Sequence, residues 1–385
     1  MSLKDTLSSY WLHIQEELLP WLNDTSCGPL NEHHKQLVSV LGMARIEALL
    51  PGWKELPGRP LSERAALARA FVAKAVFNMP TTRLLIDMLS ADKTLRRLCG
   101  WQRAGEVPSE ATFSRAFAEF AASALPSRLH EALIRVTHAD RLVGHISRDS
   151  TAIEAREKPM KPNQPATAPK RKRGRPRKEE IRPPPPLSRI ERQLDMAQRG
   201  LSAAAMLADL ARHCDVGAKR NAKGHQETWI GYKLHIDTAD GGIPISCVLT
   251  AASVHDSQVA IPLATITATR VTNLYDLMDS AYDAEAIKQH SRDLEHVPII
   301  DVNPRATPGL KQELADEAKR QRRVGHRMAE QVRYGERSTA ERVNAGLKDN
   351  HGGRTVRVKG PEKAMCHLMF GVLSFTVLQL VRLVT

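Results

Sequence analysis

The sequence predicts a helical region over residues 1–140, followed over 141–385 by an α/β fold built on a mixed five-stranded sheet flanked by helices. Three observations predict it. Helical patterning runs to about residue 140 without a β-leaning stretch. Beyond it, runs rich in β-branched residues give the order strand, hairpin, strand, helix, strand, helix. Residues 155–228 break that order with an insertion far longer than an ordinary strand connection.

The opening MSLKDTLSSYWLHIQEELL reads as an amphipathic helix without a signal-peptide core. Thr81 or Thr82 caps a helix running through LLIDMLSADKTLRRLCGW, just after Pro80. Ser109 precedes EATFSRAFAEFAAS, where Phe113, Phe117 and Phe120 recur at i, i+4 and i+7. That spacing buries the phenyl rings on one face and leaves Thr112, Ser114 and Arg115 partly outward. Two helices joined this closely form either a helix-turn-helix DNA reader or an ordinary bundle.

In the second region LVGHISRDST reads as a short strand ending in Asp149. GYKLHIDTADGGIPISCVLT reads as a hairpin turning at Ala-Asp-Gly-Gly. NLYDLMDSAYDAEAIKQHSRD is a strand entering a helix, with Asp279 at the junction, and VPIIDVNP is another short strand. A charged helical segment follows over residues 309–349. The apolar stretch from Met365 to Val384 holds His367, Gln379 and Arg382, which favours a buried helix over a membrane span.

The chain of 385 residues is 42% hydrophobic, enough for a substantial core and two or three domains. A net charge of +13 points to nucleic acid or another polyanion as partner. The five cysteines form no CxxC pair, which argues for a reducing compartment and against a zinc finger or a disulfide framework. No Gly-rich loop of the Walker type is present, so nucleotide-fuelled chemistry has no support.

The insertion holds KRKRGRPRK at residues 170–178 and a PPPP run, neither of which can bury apolar surface. Arg173, Gly174, Arg175 and Pro176 resemble an AT-hook, in which an extended Arg-Gly-Arg-Pro lies in a narrow A·T minor groove. The alternative is a basic linker that touches phosphates without preference.

The densest chemistry lies in YGERSTAERVNAGLK, residues 334–348. At about 100° per residue, Tyr334, Arg337, Glu341 and Lys348 fall within roughly 60° of one another on a helix. A mixed-charge stripe is ordinarily a solvated face. Here two aspartates at predicted strand ends, Asp149 and Asp279, precede it. Two such carboxylates with a helix glutamate make an oxygen-ligand set suited to Mg²⁺ or Mn²⁺. Asp276 and Asp283 compete with Asp279 for the second position.

The spacing Tyr334-x2-Arg337-x3-Glu341-x6-Lys348 resembles the signature of IS4-type DDE transposases of bacterial insertion sequences. RDSTAIEA around Asp149 and MDSAYDAEAI around Asp279 are similar to that group's two aspartate motifs, and GYKLHI and LTAASVHDSQ to its hairpin. The N-terminal helices resemble, more loosely, the leading region of IS5- and IS1182-type transposases. This resemblance implies an RNase H-like core with Asp149, Asp279 and Glu341 as catalytic ligands of two Mg²⁺ or Mn²⁺ ions. It also implies Tyr334, Arg337 and Lys348 on DNA phosphates, a homodimer on double-stranded DNA, and a cytoplasmic, nucleoid-associated enzyme without a membrane partner. His235 reads as a structural strand histidine, His255 and Asp256 are left undecided, and Trp229 either stacks on a base or packs in the core.

Overall fold

The computed structural model describes residues 30–50, 63–138, 141–160, 186–220, 224–304, 307 and 309–384. The predicted N-terminal amphipathic helix and the 170–178 cluster, with Arg173, Gly174, Arg175 and Pro176, lie outside the described residues.

Among the described residues, six α-helices form the first region: α1 (Glu32–Ala44), α2 (Arg64–Val76), α3 (Thr82–Ala91), α4 (Lys93–Cys99), α5 (Glu110–Ala122) and α6 (Leu125–His138). Thr81 caps α3 by accepting a bond from the Leu84 amide. The single helix expected here is in fact two. Asp92 leaves helical geometry at φ −88°, ψ 107° and its carboxylate accepts the Leu95 amide, so the chain ends α3 and caps α4 with one residue. Phe113, Phe117 and Phe120 are buried as their spacing predicts, and all three rings gather on Phe71 of α2 at centroid distances of 5.8, 4.9 and 6.2 Å.

The sheet comprises β1 (Leu142–Glu154), β2 (Asp215–Arg220), β3 (Gln226–Ala239), β4 (Ile243–Ala251), β5 (Thr272–Met278) and β6 (Val297–Ile300). β3 runs antiparallel to β1, β2 and β4, whereas β1, β5 and β6 are mutually parallel neighbours in that order. Among the described residues the sheet thus has six strands rather than the expected five, the sixth being β2 from the insertion. Gly231 pairs with Glu154 of β1 and Asp215 of β2, while Tyr232 pairs with Ile153 of β1 and Ala251 of β4. β2 therefore continues the edge position of β4 and extends the sheet lengthwise. At Gly231 φ is +152° and a Cβ would strike the Ile153 carbonyl, so only glycine fits this crossing.

Around the sheet lie α7 (Arg189–Gln198), α8 (Ala203–Leu207), α9 (Ser257–Ala268), α10 (Glu285–Asp293), α11 (Leu310–Val324), α12 (Ala329–Tyr334), α13 (Ser338–Asn350) and α14 (Pro361–Arg382). The charged segment over 309–349 is not one helix. Gly325 in the left-handed region ends α11, and a single tighter turn, Gly335–Arg337, joins α12 to α13 without leaving right-handed geometry. α14 is the one helix among the described residues long and apolar enough to cross a membrane, but it is packed inside the protein. It touches α1, α2, α5, α6 and β4. One core therefore runs from Leu37 of α1 through Phe370 and Val377 of α14 to Ile146 and Ile245 of the sheet.

Candidate active site

Side chains alternate along β1, so Arg148 and Asp149 point to opposite faces of the sheet. Arg148 is buried and makes two 2.8 Å bonds to Asp237, whose second oxygen also accepts the Thr267 hydroxyl of α9 at 2.6 Å. This fully buried ion pair anchors the centre of the sheet. Asp149 looks the other way, toward α13. Asn344 of that helix donates its amide to Asp149 Oδ2 at 2.9 Å. The strand does not end at Asp149 as expected. It runs on to Glu154 because β3 stays paired with it over the whole length, and Asp149 is thereby fixed on both sides rather than at a frayed end.

Asp279 follows the last residue of β5 and caps the next turn, accepting the Ala281 amide at 2.9 Å. Burial raises the Asp149 carboxyl to about 6; the Ser150 amide and Arg337 oppose the rise, and Asp279 and Asp256 add to it. Asp279 is raised as well, first by burial, with Arg337 countering and Asp256 and Asp301 adding. Burial also works against ionising Asp256, but His235 and Lys233 hold it below the usual carboxylate range. Lys233 Nζ lies 2.9 Å from Asp256 Oδ1. Three carboxylates thus crowd one region, and Arg337 faces two of them.

The competing aspartates are engaged elsewhere. Asp276 is buried against His296 at 3.3 Å and Asn273 at 3.2 Å. Asp283 is tied to Lys288 at 2.6 Å and the Asn303 amide at 2.8 Å. Only Asp279 of the three perturbs Asp149.

Glu341 is not drawn into this group. It is exposed and accepts a 2.7 Å bond from Arg337, whose guanidinium centre lies 5.8 Å from the Tyr334 ring centroid. Among the described residues no three His, Cys, Asp or Glu side chains gather closely enough to hold a metal ion. Arg337 takes the Glu341 carboxylate while facing Asp149 and Asp279. Lys348 is half-buried; burial depresses its ammonium, helped by Lys219 and Arg354.

Of the residues left undecided by sequence, Asp256 joins the carboxylate cluster. His235 is buried, neutral at about 4 through burial, and bonded to Thr250 at 2.9 Å. His255 pairs locally with Ser257 at 2.8 Å. Trp229 is half-buried, donates to the Tyr232 carbonyl at 3.0 Å and lies across Gly217 of β2. Arg115 is exposed on α5. Sequence reading passed over Asn344 and Lys233. The signal for Asn344 was present, since seven residues after Arg337 it falls within about 20° of the same stripe.

The transposase DDE domain family matches residues 199–376, and the transposase domain family DUF772 matches residues 28–119. The chain belongs to the DDE transposases. It is of the IS1182-like type, with a helical transposase domain ahead of the DDE domain. The DDE match takes in Asp279, Tyr334, Arg337, Glu341 and Lys348 and begins after Asp149; the other takes in α1 through most of α5, including Arg115. No curated protein and no solved structure matches this transposase.

Proposed function

We propose that this transposase recognises the terminal inverted repeats of its insertion sequence, cleaves the DNA there and joins the freed ends to a target. The observation that carries the reading is the pairing of two half-buried aspartates with raised carboxyls, Asp149 and Asp279, beneath a helix face that presents Tyr334, Arg337, Glu341 and Lys348. The sheet order, with a central β1 between an antiparallel hairpin and two parallel strands, is compatible with an RNase H-like core.

DDE transposases use divalent metal ions, and the fit here rests on the donor set. Asp149 and Asp279 are hard oxygen donors whose carboxyls are raised first by burial and further by neighbouring carboxylates, a state that a cation relieves. Asp149, Asp279 and Glu341 are the residues that would hold two Mg²⁺ or Mn²⁺ ions, with Glu341 exchanging Arg337 for metal. When bound, such ions stabilise the attacking and leaving oxygens of an in-line displacement at phosphorus.

The chain's own residues do the rest. Arg337 bonds either a carboxylate or a phosphate through its planar fork, so DNA entering along α12 and α13 draws it off Glu341. Tyr334 and Lys348 hold backbone phosphates on either side of the cut. Asn344 fixes the orientation of Asp149. Cleavage is attack by a water oxygen on the scissile phosphorus with departure of the 3′-oxygen, which leaves as a 3′-hydroxyl. Joining is attack by that hydroxyl on a target phosphorus with departure of the target strand's 3′-oxygen.

The helices of residues 1–140, with Arg115 outward, are assigned to end recognition, and the 170–178 segment to minor-groove contact. A homodimer holding two ends in the bacterial cytoplasm follows from the need to process both ends of one element. The test is nicking of a labelled duplex carrying the element's end sequence, with and without Mg²⁺. A chain that binds the duplex but never cuts it is a DNA-binding protein only, and one that cuts without joining is a nuclease.

A further inference from the structure

Away from Asp149 the molecule holds a second concentration of uncompensated charge. Lys74 of α2 is only 8% exposed, and no hydrogen-bond or ion-pair partner faces it among the described residues. Its ammonium is depressed to about 8, first by burial and then by Arg357; no carboxylate contributes. Lys74 lines a cavity of about 270 Å³ whose mouth carries two more cations, the exposed Lys359 and Lys363. Glu110 is the one carboxylate on its wall, and it is exposed.

Three helix N-termini meet at this cavity. Thr82 opens α3, Glu110 opens α5 and Lys363 lies in the first turn of α14, and each lines it. The Ser109 side chain makes no capping bond to α5, so that first turn keeps amides to offer. Helix N-termini favour anions through their free amides and dipoles. An ammonium largely stripped of water and without a carboxylate beside it favours an anion, and this cavity has room for one.

The remaining wall is mixed: Phe71, Met79, Phe117, Val358 and Phe370 stand beside the polar Ser114 and His367. The cavity also lies in the seam between the two matched domains, with Phe71 and Lys74 from one and Lys359 and Lys363 from the other. We propose that it binds a backbone phosphate of double-stranded DNA between Lys74, Lys359 and Lys363. This rests on the transposase reading, and it adds a grip on the substrate outside the catalytic cluster that ties the helical region to the DDE region.

The experiment uses the full chain, its Lys74→Met variant and the double variant Lys359→Ala/Lys363→Ala. Thermal unfolding is followed with inorganic phosphate against chloride at equal ionic strength, and duplex affinity is titrated across a salt series. Phosphate is expected to raise the parent's Tm and to leave Lys74→Met unmoved. Lys74→Met should weaken binding to all duplexes alike and lower the slope of log affinity against log salt by about 1. The double variant changes only exposed side chains and lowers the slope by about 2, so the test stands even where Lys74→Met fails to fold. A phosphate effect that is lost in the variants while DNA affinity and slope stay at parent values overturns the proposal in favour of a free-anion site. Variants identical to the parent in both assays overturn it outright. A parent chain that binds no duplex sinks the transposase reading itself, and that result is read from the parent alone.

Discussion

Asp149 carries a carboxyl that the fold holds above the usual carboxylate range. Its carboxyl is raised to about 6 by burial, with Asp279 and Asp256 adding. A group whose folded pKa lies above its unfolded value contributes stability that is present at low pH and lost as pH rises through the folded value. In metal-free buffer, Asp149→Asn should therefore leave stability nearly unchanged near pH 4. Above pH 7 it should stabilise the protein by on the order of 2–3 kcal/mol. Paired denaturant titrations at the two pH values check this, and equal effects at both would show that Asp149 carries no such strain. At this scale the sequence was partly legible. Asp149 and Asp279 were marked by their places at the sheet, and Asp276 and Asp283 competed because spacing does not reveal partners. The structure separates them by their bonds to His296 and Lys288. The Arg337–Glu341 bond was implicit in the i, i+4 spacing, yet which partner Arg337 takes depends on α13 lying over β1, and no local pattern states that.

The stripe along α12 and α13 orders its chemistry by distance. From Tyr334 to Lys348 is 14 residues, about 21 Å of helix, enough to span several phosphates of one DNA strand. Lys348 stands at the far end, among Lys219 and Arg354 rather than among the aspartates. Lys348→Ala is accordingly expected to weaken duplex binding and lower its salt slope by about 1. The divalent-ion dependence of cutting should stay unchanged, as read from nicking rates at saturating DNA. A shift in that metal dependence would place Lys348 in the catalytic cluster instead. Elements with strong local signals matched their sequence reading, notably the β3–β4 hairpin and the strand that ends at Met278. Those set by tertiary pairing did not. β1 runs five residues past Asp149 because β3 pairs with it that far. β2 was hidden in an insertion whose basic composition masked a strand that forms only by adding to the edge of β3.

The whole molecule is joined through α14. Phe370 of this helix stacks 5.8 Å from Phe71, so the helical region and the sheet close over one shared core. The hydrophobicity of the 365–384 stretch predicted its burial, but nothing in that stretch indicated that its partners are helices three hundred residues earlier. Phe370→Ala should cost about 3–5 kcal/mol, and both regions should lose structure together in a single thermal transition. Two separated transitions would show instead that they fold independently. The shared core ties the helical region to the sheet that carries Asp149; on the proposed function, it would hold DNA gripped by the helices in a set direction toward α13.

The central claim is that Asp149, Asp279 and Glu341 cut and join DNA with divalent ions, and the most direct measurement uses Glu341→Gln beside the parent. The amide keeps the size of the side chain and removes the charge that holds metal. Labelled inverted-repeat duplex is incubated with Mg²⁺ or Mn²⁺ and a target DNA, with nicked and joined products resolved on a denaturing gel and binding titrated in parallel. The parent should nick and join only when the divalent ion is present. Glu341→Gln should bind the duplex as tightly as the parent and give neither product. Full nicking and joining by Glu341→Gln would contradict the account.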